Sequence, residues 1–361
     1  MQLARLQTRG FRNLEPAIVD VDAPLVAFVG PNGAGKTNVL EAVGILGALR
    51  SFRTTRANEV LAWGETAASV EAVGTSAGMV RTWRWSFADG TRTLRRDDRP
   101  VEAVAWLDSL RATWFVPADV GLVRGEPALR RGLVDRALFN VTPGFLGPAR
   151  DFKRVLDQKA ALLRAGHADD VQLDILDEQL AATGAAVMRA RARFLQTMAA
   201  PFARAYADFA EEEGAAVAYA PWVVPAEGET EEEAILARVR RLRDTERRQR
   251  RVLGGPQRDD LDFQLKGHAA RAFASQGQAR SLVLAWKLAE LEVARQEGET
   301  PCFLLDDLGS ELDPGRTARL VDRVRGQGAQ VFVTTTDTGF LPARADGAQV
   351  YRVAEGRVTR L

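Results

Sequence analysis

Apolar residues recur along the chain with two periods, and the segments they define alternate between strands and helices. An unbroken apolar run at 25–29 predicts a buried strand, and apolar side chains within 39–46 then fall on one face of a helix. Residues 81–87 alternate, Asp89-Gly90 supplies a turn, and 91–95 returns as a second strand. The N-terminal third is therefore predicted to be rich in strands.

The middle of the chain changes to the helical period. Stretches at 152–164 and 171–213 carry this period, and Gly166-His167 and Pro201 predict breaks in it. We therefore expect a helical lobe here.

The C-terminal part is mixed again. Short apolar runs at 302–305 and 330–333 predict buried strands, and 350–361 predicts a hairpin that turns at Glu355-Gly356. Gly254-Gly255-Pro256 reads as the loop by which the chain returns from the helical lobe.

This order predicts an α/β head that is interrupted by a helical insertion. Residues 1–116 and 252–361 are assigned to the head, and 117–251 to the insertion lobe. The face of the first hairpin that carries Trp83, Trp85 and Phe87 could stack on bases, but its period of two favours a core face.

Composition excludes several classes of protein. The chain has 361 residues, of which 46% are hydrophobic and 27% are charged, which suits a large globular core. A single cysteine, Cys302, excludes an intrachain disulfide and fits a reducing compartment. No apolar run reaches transmembrane length, so we expect a cytoplasmic protein without a membrane partner. A net charge of +1 does not itself predict a polyanionic ligand.

A complete phosphate loop, G-x-x-x-x-G-K-T, lies between the first buried strand and the helix that follows it. Its residues are Gly30, Pro31, Asn32, Gly33, Ala34, Gly35, Lys36 and Thr37. Glycines let backbone N–H groups wrap phosphates, Lys36 would reach the terminal phosphates, and Thr37 offers a hydroxyl to Mg²⁺. The ligand is predicted to be a nucleoside triphosphate.

The strand at 302–305 ends in two aspartates, the pattern of a Walker B strand. Asp306 is predicted to hold Mg²⁺ together with Thr37, and Asp307 to orient or activate the attacking water. After a phosphate loop, this interpretation outweighs a plain strand and turn.

Polar segments follow this strand and the next one. Ser310 and Asp313 belong to a loop before a helix, with Asp313 as its N-cap and Pro314 in its first turn. The threonines at 334–336 end the strand at 330–333, where polar side chains can sense a terminal phosphate.

A second anion site is predicted where an apolar helix starts near 282. Its residues are Ser275, Gln276, Gly277 and Gln278, and Ser275 is the expected N-cap. The order of phosphate loop, insertion, Ser-Gln-Gly-Gln helix and Walker B strand resembles the ABC-type ATPase head. That resemblance implies that the signature segment of one subunit completes the nucleotide site of another, in an ATP-sandwiched homodimer.

Within that group the chain resembles the RecF family of bacterial recombinational repair proteins over nearly its whole length. The matching segments are 6–14 (LQTRGFRNL), 50–54 (RSFRT), 116–123 (VPADVGLV) with Arg130-Arg131, 255–260 (GPQRDD), 275–278 (SQGQ) with 287–290 (KLAE), and 304–307 (LLDD). Three positions depart from the family pattern: Phe52 and Gln257 replace a usual His, and Ala118 replaces a usual Glu.

The resemblance implies a Rad50-like head lobe with a helical second lobe, and a homodimer that forms with ATP. It also implies DNA binding, slow DNA-stimulated ATP hydrolysis, action with RecR and RecO in loading RecA at gaps, and a role in SOS induction. From the family pattern, Arg12 and Asn13 contact the nucleotide, although a simple turn before the next strand is equally consistent with them.

Some residues have two interpretations. Arg258 either belongs to the site or forms an ion pair with Asp259 or Asp260, and the pair is slightly favoured. The eight arginines within 238–251 could neutralise DNA phosphates, but a solvated helix face is favoured. His167 and His268 are too far apart to suggest a metal site.

Three other classes share part of the pattern. A transporter-coupled ATPase usually has Gly-Gly in its signature and lacks so long an insertion. An SMC or Rad50-type protein needs sustained heptads between its two halves, and none appears here. An overcoming-lysogenization-type nuclease would carry a further acidic nuclease domain.

Overall fold

The computed structural model describes residues 1–166, 169–210, 214–298, 300–307, 314–341 and 347–361. The chain forms two compact units. Unit 1 comprises Met1–Val120, Ala205–Glu212 and Arg280–Leu361, and unit 2 comprises Gly121–Arg204 and Glu213–Ala279.

The described strands and helices are as follows. The strands are β1 Gln2–Arg9, β2 Ala17–Asp20, β3 Leu25–Val29, β4 Ala67–Ser76, β5 Met79–Ala88, β6 Thr91–Arg96, β7 Arg99–Pro100, β8 Ala112–Phe115, β9 Ala215–Ala220, β10 Asp260–Leu265, β11 His268–Ala269, β12 Cys302–Leu305, β13 Val331–Thr335, β14 Gln349–Ala354 and β15 Arg357–Arg360. The α-helices are α1 Lys36–Ala48, α2 Ala103–Leu107, α3 Pro127–Val141, α4 Leu146–Ala165, α5 Asp170–Ala210, α6 Glu231–Gln249, α7 Ala270–Phe273, α8 Gln276–Gln296 and α9 Pro314–Gly326.

Unit 1 contains a largely parallel sheet in the order β15-β14-β3-β13-β12-β8. Strands β14, β3, β13, β12 and β8 are parallel, and only β15 pairs antiparallel, in the predicted C-terminal hairpin. All residues of β12 and β13 are buried, as their apolar runs predict. Because parallel strands end at the same edge, the residues after β3, β12 and β13 converge there.

A second sheet in unit 1 is antiparallel, in the order β2-β1-β4-β5-β6-β7. The turn at Asp89-Gly90 joins β5 to β6, as predicted, and both residues have positive φ. Trp83, Trp85 and Phe87 are buried in the core, which confirms the core interpretation of that face.

A buried amide links these two sheets. The side chain of Gln330, just before β13, accepts the Leu3 N–H at 2.7 Å and donates to the Leu3 carbonyl at 2.9 Å. It also donates to the carbonyl of Ala23 at 3.1 Å. One polar side chain thus ties β1 to the approach to β3, which carries the phosphate loop.

Unit 2 is mainly helical, but it also holds a small antiparallel sheet in the order β11-β10-β9. Because β10 pairs with β9 along its whole length, residues 252–279 cluster with the insertion. The division drawn from the sequence differs here, since it places these residues with the head.

One predicted helix break is right and one is wrong. Helix α4 ends at Ala165, where Gly166 adopts φ 82° as a left-handed cap. Helix α5, by contrast, continues through Pro201. Proline has a helical φ but lacks a donor and crowds the carbonyl of the preceding turn. The fully buried Met198 and Phe202 pack the helix on either side of it.

Buried charges join three helices of unit 2. Lys159 of α4 is 1% exposed, and its Nζ lies 2.6 Å from Asp177 of α5 and 2.7 Å from Glu246 of α6. No described helix in either unit is long and apolar enough to cross a membrane.

Candidate functional site

The phosphate loop lies at the carboxyl edge of the parallel sheet, between β3 and α1. Gly30 approaches β14 so closely that an added Cβ would clash with the Val353 carbonyl oxygen. Gly35 begins α1 with φ 110°, a conformation that side chains disfavour. The glycines at 30 and 35 are therefore required by the local backbone.

Lys36 folds back over the loop. Its Nζ donates to the Gly30 carbonyl at 2.8 Å and to the Pro31 carbonyl at 3.0 Å. Burial lowers the pKa of Lys36 from its ordinary value, while the nearby Asp307 and Asp306 act in the opposite direction. An incoming phosphate would compete with the two carbonyls for this ammonium group.

Asp306 and Thr37 meet at the edge of the sheet, as the sequence predicts for a shared cation. The Thr37 hydroxyl lies 2.9 Å from Asp306 Oδ1 and 3.2 Å from Oδ2. Thr334, at the end of β13, donates to Asp306 Oδ1 at 2.7 Å. Burial raises the pKa of Asp306, and the hydrogen bonds from Thr334 and Thr37 oppose this rise.

Asp307 follows in an unusual backbone conformation, with φ 54°. Its N–H donates to Thr334 Oγ1 at 2.8 Å, so one threonine contacts both aspartates. Left-handed backbone is costly for a residue other than glycine, and such strain is concentrated at functional sites. Thr334 therefore holds the strained end of β12 in place.

The Thr37 hydroxyl and the Asp306 carboxylate suit a Mg²⁺ ion that is shared with the phosphates of a nucleotide. They suit less well a metal ion whose ligands all come from the protein. A hydroxyl and a carboxylate converge, and both are the oxygen ligands that Mg²⁺ takes beside phosphates. Among the residues that the structure describes, no group of three or more His, Cys, Asp or Glu could form a metal cage.

Arg12 lies in a turn, with φ 53°, and reaches the helix after the phosphate loop. Its guanidinium binds both oxygens of Glu41 on α1, at 2.9 and 2.7 Å. Glu41 is fully buried and also accepts the Ser51 hydroxyl at 2.5 Å. Nucleotide contact by Arg12 stays a prediction, and its observed contact anchors α1.

Asn13 lies against the loop itself. Its Oδ1 accepts from Asn38 of α1 at 2.6 Å, and a Cβ on Gly35 would lie 2.8 Å from the same atom. Asn38 Oδ1 in turn accepts from Arg53 at 2.6 Å. Arg53 also lies 3.6 Å from Glu41, and its charge opposes the rise in the pKa of Asp306.

Sequence reasoning gave no site role to Asn38, Glu41 or Arg53. Glu41 could have been found from the sequence, because it lies beside the apolar stripe of a predicted helix. A carboxylate that is buried there needs a charged or hydrogen-bonding partner. Arg53 lies in the family-like segment 50–54, but nothing in that segment indicates that it turns toward α1.

Ser275 to Gln278 open α8 in unit 2. As predicted, Ser275 caps the helix: its Oγ accepts the Gln278 N–H at 3.1 Å, and Gln278 Oε1 accepts the Ser275 N–H at 2.9 Å. Gln276 and Gly277 are exposed, and space is open around Gly277. The predicted loop residues Ser310 and Asp313 lie outside the described residues.

The structure describes all three departures from the family pattern. Phe52 packs on Trp114 with ring centroids 5.7 Å apart. Gln257 donates to the Gly254 carbonyl at 2.7 Å in the loop before β10. Ala118 lies in a 3-10 turn, Pro117–Leu122.

The prediction that Arg258 pairs with Asp259 or Asp260 is wrong, because both aspartates form ion pairs with other arginines. Asp259 lies 2.8 Å from Arg191, and Asp260 lies 2.7 Å from Arg130. Arg258 is exposed.

The arginine cluster of α6 is partly neutralised within unit 2. Arg240 lies 3.1 Å from Glu178, Arg243 lies 2.7 Å from Asp177, and Arg247 lies 2.6 Å from Asp170, all acids of α5. Arg241 and Arg248 are exposed on another face of the helix. These ion pairs support the interpretation of a mainly structural and solvated helix. His268 is also exposed, and His167 lies outside the described residues.

Comparisons with known sequences cover almost the whole chain. The RecF/RecN/SMC N terminal domain matches residues 2–359. The DNA replication and repair protein RecF of Geobacter sulfurreducens is 38% identical over 368 residues, covering 99% of this chain and all of that protein. RecF of Myxococcus xanthus is 38% identical over 359 residues, covering 96% of this chain and 93% of the relative.

Solved structures show the same fold. The recombination mediator protein RecF-ATPrS of the RecFOR pathway has a TM-score of 0.90 at 24% identity, over 99% of this chain and 98% of that one. An Smc head bound to the C-winged helix domain of ScpA has a TM-score of 0.56 at 16% identity, over 100% and 98% of the two chains. The predicted α/β head of ABC type with its inserted lobe is thereby confirmed.

Proposed function

We propose a function from one premise: this chain belongs to the RecF family of DNA replication and repair proteins. In this proposal it is an ATP-dependent DNA-binding protein of recombinational repair and replication, which forms a homodimer with ATP and clamps DNA at gaps. The observation that carries the proposal is the meeting of Thr37 and Asp306 beside a complete phosphate loop. Relatives named RecF match over 93% or more of their own length, which supports the same conclusion.

ATP would bind at Gly30 to Thr37. Backbone N–H groups of the loop and the start of α1 would receive the phosphates, and Lys36 would exchange its two carbonyl partners for phosphate oxygens. Thr37 and Asp306 would hold Mg²⁺, which when bound offsets the charge of the phosphates. Solved RecF-ATPrS and RecF-ATP structures support ATP as the nucleotide.

Hydrolysis is assigned to Asp307, which would position the attacking water and accept its proton. Its N–H is held by Thr334, so the carboxylate starts from a fixed backbone. We propose weak, DNA-stimulated hydrolysis that acts as a switch rather than as a metabolic reaction.

A second copy would complete the site. Ser275, Gln276, Gly277 and Gln278 would cap the γ-phosphate held by the partner subunit, and Ser310 and Asp313 would line the same contact. Loss of the γ-phosphate removes the link between the copies and opens the clamp. Regulation of DNA residence by ATP follows from this arrangement.

The finer biological role follows the family. We propose that the chain acts with RecR and RecO to load RecA at gaps and supports SOS induction, from a cytoplasmic location. A RecF structure of the RecFOR pathway supports this assignment through its fold.

An SMC-like structural role is the second candidate, and the likeness to an Smc head is the observation in its favour. Such proteins separate their two head halves by a long coiled coil. Here the longest described helix, α5, has 41 residues and packs within compact units. This favours a compact clamp over a long-armed protein.

The test is light scattering of wild type and Asp307→Asn with ATP, and then with duplex DNA added. We expect Asp307→Asn to accumulate as an ATP-dependent dimer that retains DNA, and Lys36→Ala to stay monomeric because it cannot bind ATP. Asp89→Asn, at an exposed aspartate in the turn between β5 and β6, is the matched control and should behave as wild type. A monomer under all conditions, with no DNA-stimulated hydrolysis in wild type, would contradict the proposal.

A further inference from the structure

Phe273 is an exposed aromatic side chain at the end of α7. Its relative exposure is 77%. Of the strongly exposed large apolar side chains described in unit 2, it is the only aromatic one; the others are Leu129, Val171, Ile175 and Val224. Single exposed apolar residues are common on protein surfaces, so its meaning depends on its surroundings.

The backbone around Phe273 is firmly held. Ala270 and Ala274 on either side are buried, and the Ala274 N–H donates to the Ala270 carbonyl at 2.9 Å. Arg124 donates to the Ala274 carbonyl, and the His268 ring meets the Phe273 ring edge-on at 5.8 Å. A side chain presented in a fixed position loses little conformational entropy on binding a partner.

Phe273 is continuous with the start of α8. Only the buried Ala274 separates it from Ser275, and Ser275, Gln276 and Gly277 are all exposed. The reciprocal bonds between Ser275 and Gln278 hold the start of α8, and the bond from the Ala274 N–H to the Ala270 carbonyl ties the preceding residue to α7. Whatever meets Ser275 and Gly277 also comes close to Phe273.

We propose that Phe273 is an apolar anchor of the interface between two copies of this chain. When the start of α8 meets the nucleotide held by a second copy, Phe273 packs against the rim of that copy's nucleotide site. This inference rests on the proposed ATP-dependent dimer. A buried aromatic at the centre of an interface contributes strongly to binding, whereas the polar contacts around it mainly provide specificity.

The chemistry near Phe273 favours a protein surface over nucleic acid. Its neighbours Ala272 and Ala274 are small and apolar. Arg271 is the one cation within 270–278, and Arg124, which comes from another element, donates to the Ala274 carbonyl. Nucleic-acid surfaces depend on several cations that neutralise phosphates. An aromatic beside alanines and a signature serine suits a second copy that presents both a nucleotide and a protein rim.

The test compares Phe273→Ser with Val224→Ser in the Asp307→Asn protein. Val224 is 76% exposed and lies in the same unit, so it matches Phe273 in exposure and in change of polarity. Sedimentation velocity across a range of protein concentrations, with ATP, gives the dimer dissociation constant. We expect Phe273→Ser to raise it at least about tenfold and Val224→Ser to leave it unchanged. Phe273→Leu, which keeps an apolar side chain, should recover most of the loss.

Two further measurements separate the possible failures. Binding of a fluorescent ATP analogue to dilute monomer should be the same in all variants. If Asp307→Asn itself fails to dimerise with ATP, the proposed function fails and this inference falls with it. If it dimerises and Phe273→Ser dimerises equally well, the inference alone is overturned. Loss of DNA binding by Phe273→Ser with an unchanged dimer would also overturn it.

Discussion

Thr334 connects the two aspartates of the candidate site. Its hydroxyl donates to Asp306 at 2.7 Å and accepts the Asp307 N–H at 2.8 Å, and the residue is fully buried. The strained backbone of Asp307 thus depends on a neighbouring strand. Through these two bonds, Thr334 sets the positions of both aspartates.

We predict that Thr334→Val slows ATP hydrolysis about tenfold, the equivalent of ~1.4 kcal/mol, because it leaves a buried N–H without its acceptor and removes a donor from Asp306. Affinity for ATP should change by less than about threefold, since the phosphate loop is unaltered. Steady-state hydrolysis and equilibrium nucleotide binding measure the two effects. The control is Thr93→Val, at an exposed threonine of β6, and equal hydrolysis by the two variants would refute the role of Thr334.

At the scale of elements, β12 leads into the two predicted Walker B aspartates, and it is buried along its length between β13 and β8. It also carries Cys302, the single cysteine of the chain. Burial raises the pKa of the Cys302 thiol to about 12. The chain therefore contains a chemical probe within the strand that positions Asp306.

We predict that Cys302 resists maleimide at pH 7 to 8 in the native protein and reacts fully in denaturant. The raised pKa keeps the group as a thiol throughout this range, whereas the thiolate is the reactive form, and burial blocks access as well. Labelling followed by mass spectrometry then reports the opening of β12, and ATP with Mg²⁺ should slow it further. Native labelling as fast as labelling in denaturant would show that β12 is not held as described.

At the scale of the whole molecule, each of the two units is stabilised internally by a different kind of interaction. Unit 1 has a large apolar core around its sheets, with Gln330 as a polar tie. Unit 2 has a buried ion cluster, in which Lys159 lies between Asp177 and Glu246 on three helices. Removing one member of such a cluster leaves buried charge without compensation.

We predict that Lys159→Met destabilises unit 2 by about 3–5 kcal/mol. Hydrogen exchange followed by mass spectrometry should show faster exchange in α4, α5 and α6, with β3 and α1 protected as in wild type. Lys153→Met is the control, because Lys153 lies on the same helix but is 66% exposed and pairs only within α4, with Asp157. Equal effects of the two substitutions would refute the importance of the buried cluster.

The sequence alone determined the features that depend on local chemistry. The phosphate loop, the Walker B strand, the hairpin turns and the Ser275 cap each need particular residues at short spacing, so they are readable from neighbours in the chain. The order of these segments also carried the family resemblance. The predicted helix break at Pro201 is wrong because it was drawn from a local preference alone. Packing by Met198 and Phe202 outweighs the tendency of proline to end a helix.

Only the tertiary structure decided which distant side chains meet. Thr37 and Asp306 come together because β3 and β12 end at one edge of a parallel sheet, and Thr334 joins them because β13 lies between these strands. The partners of Glu41, of Asp259 and of the α6 arginines likewise come from other elements, whose approach no local spacing encodes. Sequence patterns predict elements because those depend on neighbouring residues, whereas the pairing of charges depends on the packing of the whole chain.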